Sequence, residues 1–174
     1  MGFINTEGSP LKLFRDVLAV YKKLTQESLI DSTFEKGIVK IKDTGVIKMD
    51  RAPMIILHRG AIGHEPRSLM LNETIGSSNG GNQPFSNTIH IIDYPIVFTC
   101  YGNSYLETEQ LGIIALETIL TAGQTAVSNR HENILGAEFV SMSEAAQVEG
   151  AESQLTEVVV VGKVTIMTSA IRNL

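Results

Sequence analysis

The side chains in this sequence that could do chemistry are few: His58, His64, His90 and His131, the single Cys100, the acidic pair Glu107 and Glu109, and the glycines Gly76, Gly80 and Gly81. Four histidines invite a metal or a general base, because neutral imidazole ligates cations and titrates near neutral pH. Their spacings match no ligand pattern, and Gly60 and Gly63 between His58 and His64 remove any regular element that would hold two rings on one face. Surface or hydrogen-bonded histidines are expected, and no metal. Cys100 lies between Thr99 and Tyr101 in a strand-like run with nothing nearby to depress its pKa, which predicts an inert core thiol. His90, ten residues away in the same run, gives no sign of a thiol–imidazole pair. Glu107 and Glu109 follow Ser104 where a capping box and the positive end of a helix dipole favour acids for structural reasons. The glycines form neither G-x-x-x-x-G-K-[ST] nor G-x-G-x-x-G and run into no helix that could receive phosphate, so they read as flexibility. No catalytic residue, metal ligand or cofactor is assigned, and no enzyme activity is expected.

The 174 residues suffice for one domain, and 43% hydrophobic residues can build its core. The formal charge of −5 argues against a general nucleic-acid or anionic-membrane binder. One cysteine permits neither an intrachain disulfide nor a multi-cysteine zinc site, which fits a reducing interior. No run approaches the eighteen or so apolar residues of a membrane span, and no leader is visible, so a soluble, unexported protein is expected. Charge is unevenly spread. Residues 1–87 carry 11 Lys and Arg against 9 Asp and Glu, whereas residues 88–174 carry 3 against 10. If the halves expose different faces, head-to-tail contacts between identical copies gain electrostatic complementarity.

The elements follow from periodicity. Ser9 as N-cap, Pro10 at the first position, and Leu11, Phe14, Val17, Leu18, Tyr21 and Leu24 predict an amphipathic first helix. Val39 to Lys42 alternates like a strand, and a turn at Asp43-Thr44-Gly45 would return it as a hairpin over Val46 to Met49. Met54 to Leu57 reads as another strand. The segment from Ile75 to Asn87, rich in Gly, Ser and Asn, predicts a mobile loop. Thr88 to Tyr101 is a strand run in which Asp93 and Pro95 predict a bulge or break. Ser104 and Glu107 open a second helix near Tyr105 that ends at Gly123. Its apolar surface, with Ile113, Leu116 and Leu120 added to Leu111, Ile114, Ala115, Thr118, Ile119 and Ala122, is wider than one sheet contact needs and predicts burial on two sides. Gly112 suggests a close backbone approach there. Ile134 to Met142 and Val158 to Thr168 are strands, the latter with an irregularity at Gly162, and the acidic, alanine-rich Ser143 to Gln154 reads as a loop or short helix.

The run Ile96-Val97-Phe98-Thr99-Cys100-Tyr101-Gly102-Asn103-Ser104-Tyr105-Leu106-Glu107-Thr108-Glu109-Gln110-Leu111, in which a strand passes through a small-residue turn into a capped, apolar helix, resembles the tail terminator proteins of long-tailed bacteriophages. The resemblance extends over most of the chain as an order of elements. It implies a single α+β domain with a mostly antiparallel sheet flanked by two main helices. It also implies a non-enzymatic role in the tail and neck of a virion assembled in the host cytoplasm. There, a homo-oligomeric ring, usually of six subunits, caps the tail tube, stops its polymerisation and presents its other side to the head-completion or connector protein. DNA would pass through such a ring without sequence-specific binding, and neither membrane nor cofactor is involved. On this reading the docking candidates are His58, Arg59, Arg67, Ser77, Asn79, Gly80, Gly81, Asn82 and Phe85, with Phe85 the one large apolar anchor of the loop. The rivals are a head-completion, connector or other tail ring component, a small oligomeric enzyme whose site joins His58, His64, Glu107 or Cys100 across subunits, and a ligand-binding domain with an apolar pocket beside the second helix.

Overall fold

The fold is that of a computed structural model, which describes residues 10–34, 36–41, 53–59, 69–77, 84–123, 134–149 and 155–173. Its elements in chain order are α1 (Pro10–Ile30), β1 (Ile38–Ile41), β2 (Met54–Arg59), β3 (Leu69–Ser77), β4 (Pro84–Gly102), α2 (Tyr105–Glu117) with a widened π-helical extension (Thr118–Gly123), β5 (Ile134–Met142), β6 (Ala146–Gln147) and β7 (Thr156–Asn173). The architecture is α+β. Among the described residues seven strands form one sheet along the path β1-β2-β4-β7-β5, with β3 on β4 and β6 on β7, and every pairing is antiparallel except β1 with β2.

The β4–β7 pair is its spine. All eighteen positions from Phe85↔Asn173 to Gly102↔Thr156 pair in one unbroken register. At ordinary strand rise β4 alone runs roughly 60 Å. Residues directly opposite in an antiparallel pair share a face, so Ile96, Phe98 and Cys100 stand on the same side as Gly162, Val160 and Val158. Ile55 and Leu57 of β2 join them through Cys100 and Phe98. Both helices cover this side. Val17, Leu18, Tyr21 and Leu29 of α1 and Leu111, Ala115 and Ile119 on the second helix and its extension close one continuous core against it. The rings of Tyr21 and Phe98 meet edge to face at 5.8 Å and 87°. The Gln26 amide ties α1 to β1 by donating from Nε2 to Gly37 O and accepting from Val39 N, each at 3.0 Å.

Several expectations need correction. No break occurs at Pro95, which pairs with Lys163 in the uninterrupted ladder. The β2 register on β4 ends at Ile96 and the β3 register ends at Ile91, so Pro95 falls in the gap between them. A missing N–H costs least where a strand is paired on one side only. Gly162 does not interrupt β7 either. A Cβ there would stand 3.1 Å from Ile119 Cδ1 and 3.2 Å from Ile96 Cγ2, so glycine lets the helix layer seat closely on the strand. The irregularity lies across the ladder, where the β5 register shifts between Phe139 and Ser141. The described partner of β1 is β2, in parallel; the expected return strand over Val46 to Met49 lies outside the described residues, as does Ser9. Irregular backbone does not extend over all of 75–87: Ile75↔Ser86, Gly76↔Phe85 and Ser77↔Pro84 are paired, and 78–83 lie outside the described residues. Within 143–154, the short strand β6 pairs with the start of β7 where a loop or helix was expected.

Candidate functional site

The helix α2 is set by its first turn. Ser104 is extended, at φ −149° and ψ 159°, and its hydroxyl accepts from Glu107 N at 3.2 Å, while the Glu107 carboxylate reaches back to Asn103 N–H. This is the capping box foreseen from the sequence, shifted by one residue in its return bond. Glu107 is therefore occupied in structure. Thr108, fully buried, donates to Ser104 O at 2.8 Å and shares a hydrogen bond with Thr156 Oγ1, which pins the helix start to β7. Gly112 meets the close approach expected of it: a Cβ would come within 2.9 Å of Val158 Cγ1 and 2.7 Å of Met142 Cε.

These contacts fix which side of the helix is outward. Thr108, Leu111, Gly112 and Ala115 face inward, with Thr118 and Ile119 continuing that side. Leu106, Ile113 and Leu120, seven residues apart, face solvent and are 66%, 47% and 52% exposed. Tyr105 is also exposed, as are Leu135, Phe139 and Val140 on the edge strand β5. Where side-chain exposure is described, over 15–34, 36–41, 53–59, 93–120, 135–149 and 155–166, seven of the nine exposed large hydrophobic residues belong to the stretch from Tyr105 to Val140. The sequence pointed to Ile113, Leu116 and Leu120 by the breadth of the stripe. It missed Leu106 and the β5 residues, because periodicity alone does not say which side of a nearly all-apolar element meets the sheet.

Of the residues singled out earlier, His58, Arg59, Ser77, Phe85, His90, Cys100, Glu107 and Glu109 fall among the described ones. His58 is half-buried, with Nδ1 2.9 Å from Arg59 O and Nε2 3.3 Å from Thr99 Oγ1, and Arg59 is exposed beside it at the end of β2. His58 pairs with Val97 and Cys100 pairs with Ile55, so His58 and Cys100 stand on opposite faces of the sheet. Cys100 is fully buried, and burial pushes its thiol well above the ordinary range. It cannot reach an inter-subunit site. The backbone of His90 pairs with Met70 and Thr168 in the ribbon β3-β4-β7, where Ser77 and Phe85 also lie. His64, Arg67, Asn79, Gly80, Gly81, Asn82 and His131 fall outside the described residues.

One polar cluster does assemble, on the sheet face away from the helices. Lys163 Nζ sits against a Glu138 carboxylate oxygen and 3.5 Å from Asp93 Oδ2, and Thr165 donates to Asp93 Oδ1 at 2.7 Å. The hydrogen bond to Glu138 is the main reason Lys163 titrates above the usual lysine range, with Asp93 adding to it. The cluster binds three neighbouring strands together and leaves no acid or base free for a reaction. Among the described residues no three His, Cys, Asp or Glu side chains gather as a cation site.

No protein-family model matches the sequence, and no curated protein matches it. Among solved structures, a chain of the virion of a native gene transfer agent particle is similar at 12% identity, over 87% of this chain and 98% of that one, with a TM-score of 0.34. A likeness at that level transfers neither fold nor function.

Proposed function

We propose that this protein is a structural, non-enzymatic component of a tailed virion: a tail terminator that assembles with copies of itself into a ring, caps the tail tube and stops its growth, and offers the other side to the head-completion complex. The observation that carries the reading is the solvent exposure of Leu106, Ile113 and Leu120 on a helix whose inner side, Thr108, Leu111, Gly112 and Ala115, is built into the core. Large apolar side chains repeated at the surface of an ordered helix favour association with another protein surface. The passage of β4 through Gly102, Asn103 and Ser104 into the capped α2 matches the order of elements on which the resemblance to tail terminators rests.

On this reading the hairpin β3–β4, with residues 78–83 between its strands, is the element that docks on the tube. Its ladder closes at Ser77↔Pro84, so replacing 78–83 by an Asn-Gly turn should leave the fold intact. Electron micrographs of purified protein mixed with tail tubes test the function directly. Tubes capped at one end support it, and capping lost in the shortened variant places the contact in the hairpin. Binding to isolated connectors with no affinity for tube ends would make the protein a head-completion component instead.

A further inference from the structure

The path of the sheet has two ends, and they are shielded by different means. At one end β5 departs from regular register on β7 twice, between Ile134 and Gly136 and between Phe139 and Ser141. Such bulges turn an edge away from further pairing. At the other end β1 is regular, with Ile38 to Ile41 in unshifted register on β2. Its sequence Ile-Val-Lys-Ile favours the strand, Ile38 is 40% exposed, and among the described residues no strand lies beyond it. A regular, apolar edge of this kind is a template for an added strand.

Backbone alternation decides which groups of β1 point outward. Ile38 N donates to Pro53 O at 3.3 Å, toward β2, so Gly37 and Val39 on either side direct their N–H and C=O groups to the outer edge. There the Gln26 amide meets them: Nε2 donates to Gly37 O and Oε1 accepts from Val39 N, each at 3.0 Å. In a parallel ladder one residue of the next strand makes this same pair of bonds, donating to the carbonyl before the residue it faces and accepting from the amide after it. Gln26 makes them around Ile38. Gly37 N is occupied as well, donating to Phe34 O at 2.8 Å. The close seating depends on glycine. A Cβ at 37 would stand 3.0 Å from Phe34 O and 3.2 Å from Leu29 Cδ1, and would push β1 away from the helix that carries Gln26.

We propose that the Gln26 side chain stands in for a neighbouring strand and closes the β1 edge to strand addition by an extended chain. The device is independent of the assembly reading above. Without the amide, Gly37 O and Val39 N–H lose their partners, and an incoming strand satisfies groups left in that state. With it, the most exposed backbone of the edge offers nothing to pair with.

The test uses the full-length protein, with a fluorescein-labelled peptide copying residues 36–41, Lys-Gly-Ile-Val-Lys-Ile, as the incoming strand. In wild type the Val39 amide proton should be protected from hydrogen exchange, and fluorescence anisotropy should show the peptide bound weakly or not at all. Q26A should lose that protection and bind the peptide about tenfold more tightly or better, the factor that the net worth of one hydrogen bond represents. L111A damages the core and keeps Gln26, so it should leave the edge closed; peptide binding there would mean general loosening and would overturn the proposal. Q26M keeps the length of the side chain without its amide. Should Q26A not fold, Q26M takes its place with the same expectation. A Val39 amide that exchanges freely in wild type, a result that needs no variant, overturns the proposal, as does peptide bound equally by wild type and variant or by neither.

Discussion

The two helices lie on the same face of one sheet and have been put to different uses. In α1 the inward residues Val17, Leu18, Tyr21, Thr25 and Leu29 are buried, and the outward positions are mostly charged: Arg15, Asp16, Lys22, Lys23 and Glu27. It is a surface helix whose apolar side is spent on the core. In α2 the inward side is equally buried, but the outward side carries Leu106, Ile113 and Leu120 among Glu109, Gln110 and Glu117. Leu106, Ile113 and Leu120 lie outside the core that the sheet and the two helices close. Exposed leucine and isoleucine on an ordered helix carry a risk of aggregation, and a surface that binds nothing gains by replacing them with charge.

If the helices differ only on their outer sides, their inner sides should be equally costly to damage. Leu29 and Leu111 are both fully buried, and Leu29→Ala and Leu111→Ala should each lower stability by about 2–5 kcal/mol in urea unfolding. A loss at Leu29 several times that at Leu111 would break the comparison, because α2 would then be held by something other than this core. Gly112→Ala sharpens it. Alanine in a helix interior gains about 1 kcal/mol over glycine, but the added Cβ meets Val158 Cγ1 at 2.9 Å. Met142 Cε, at 2.7 Å, is the end of a flexible side chain and can move; the Val158 methyl belongs to a buried strand residue and cannot. The clash should win, for a net loss of about 1–2 kcal/mol. A raised melting temperature would mean that α2 is not seated on β7 at that point. Ser104→Ala removes the hydroxyl that accepts from Glu107 N and should cost about 1 kcal/mol, read in the same unfolding experiment.

Much of this arrangement was legible in the sequence where the signal is local. Helix starts, the capping box and the strands at 54–57, 134–142 and 158–168 follow from periodicity and from side-chain chemistry within a turn or two. What escaped is non-local. The parallel contact of β1 with β2 depends on chain that lies between them, and nothing in Val39 to Lys42 distinguishes a parallel from an antiparallel partner. Pro95 announces a missing donor, but only the ends of the β2 and β3 registers show that the strand has a one-sided stretch to put it in. Gly162 suggests an irregularity, yet β7 runs through it unbroken, and what calls for glycine there is Ile119, forty-three residues earlier. Among the candidate side chains, His58 on β2 and Cys100 on β4 are forty-two residues apart, and only the β2–β4 register shows that they stand on opposite faces.

The smallest expected effect concerns the one feature of α1 that does not fit a plain core helix. Tyr21 is fully buried, and its hydroxyl has no hydrogen-bond partner among the described residues. Burial alone drives its pKa far above the ordinary tyrosine range, since the phenolate would be desolvated without compensation. The neutral hydroxyl is also penalised, because it left its hydrogen bonds with water behind. Its ring, by contrast, is well used edge to face against Phe98. Tyr21→Phe keeps the ring and removes the unpaired group, so stability should stay level or rise by about 1 kcal/mol, the relief of desolvation offset by a void of one oxygen. A loss greater than 1 kcal/mol would show that the hydroxyl is satisfied after all, by a trapped water or by chain outside the described residues. In that case α1, like α2, would have an inner side that does more than fill a core.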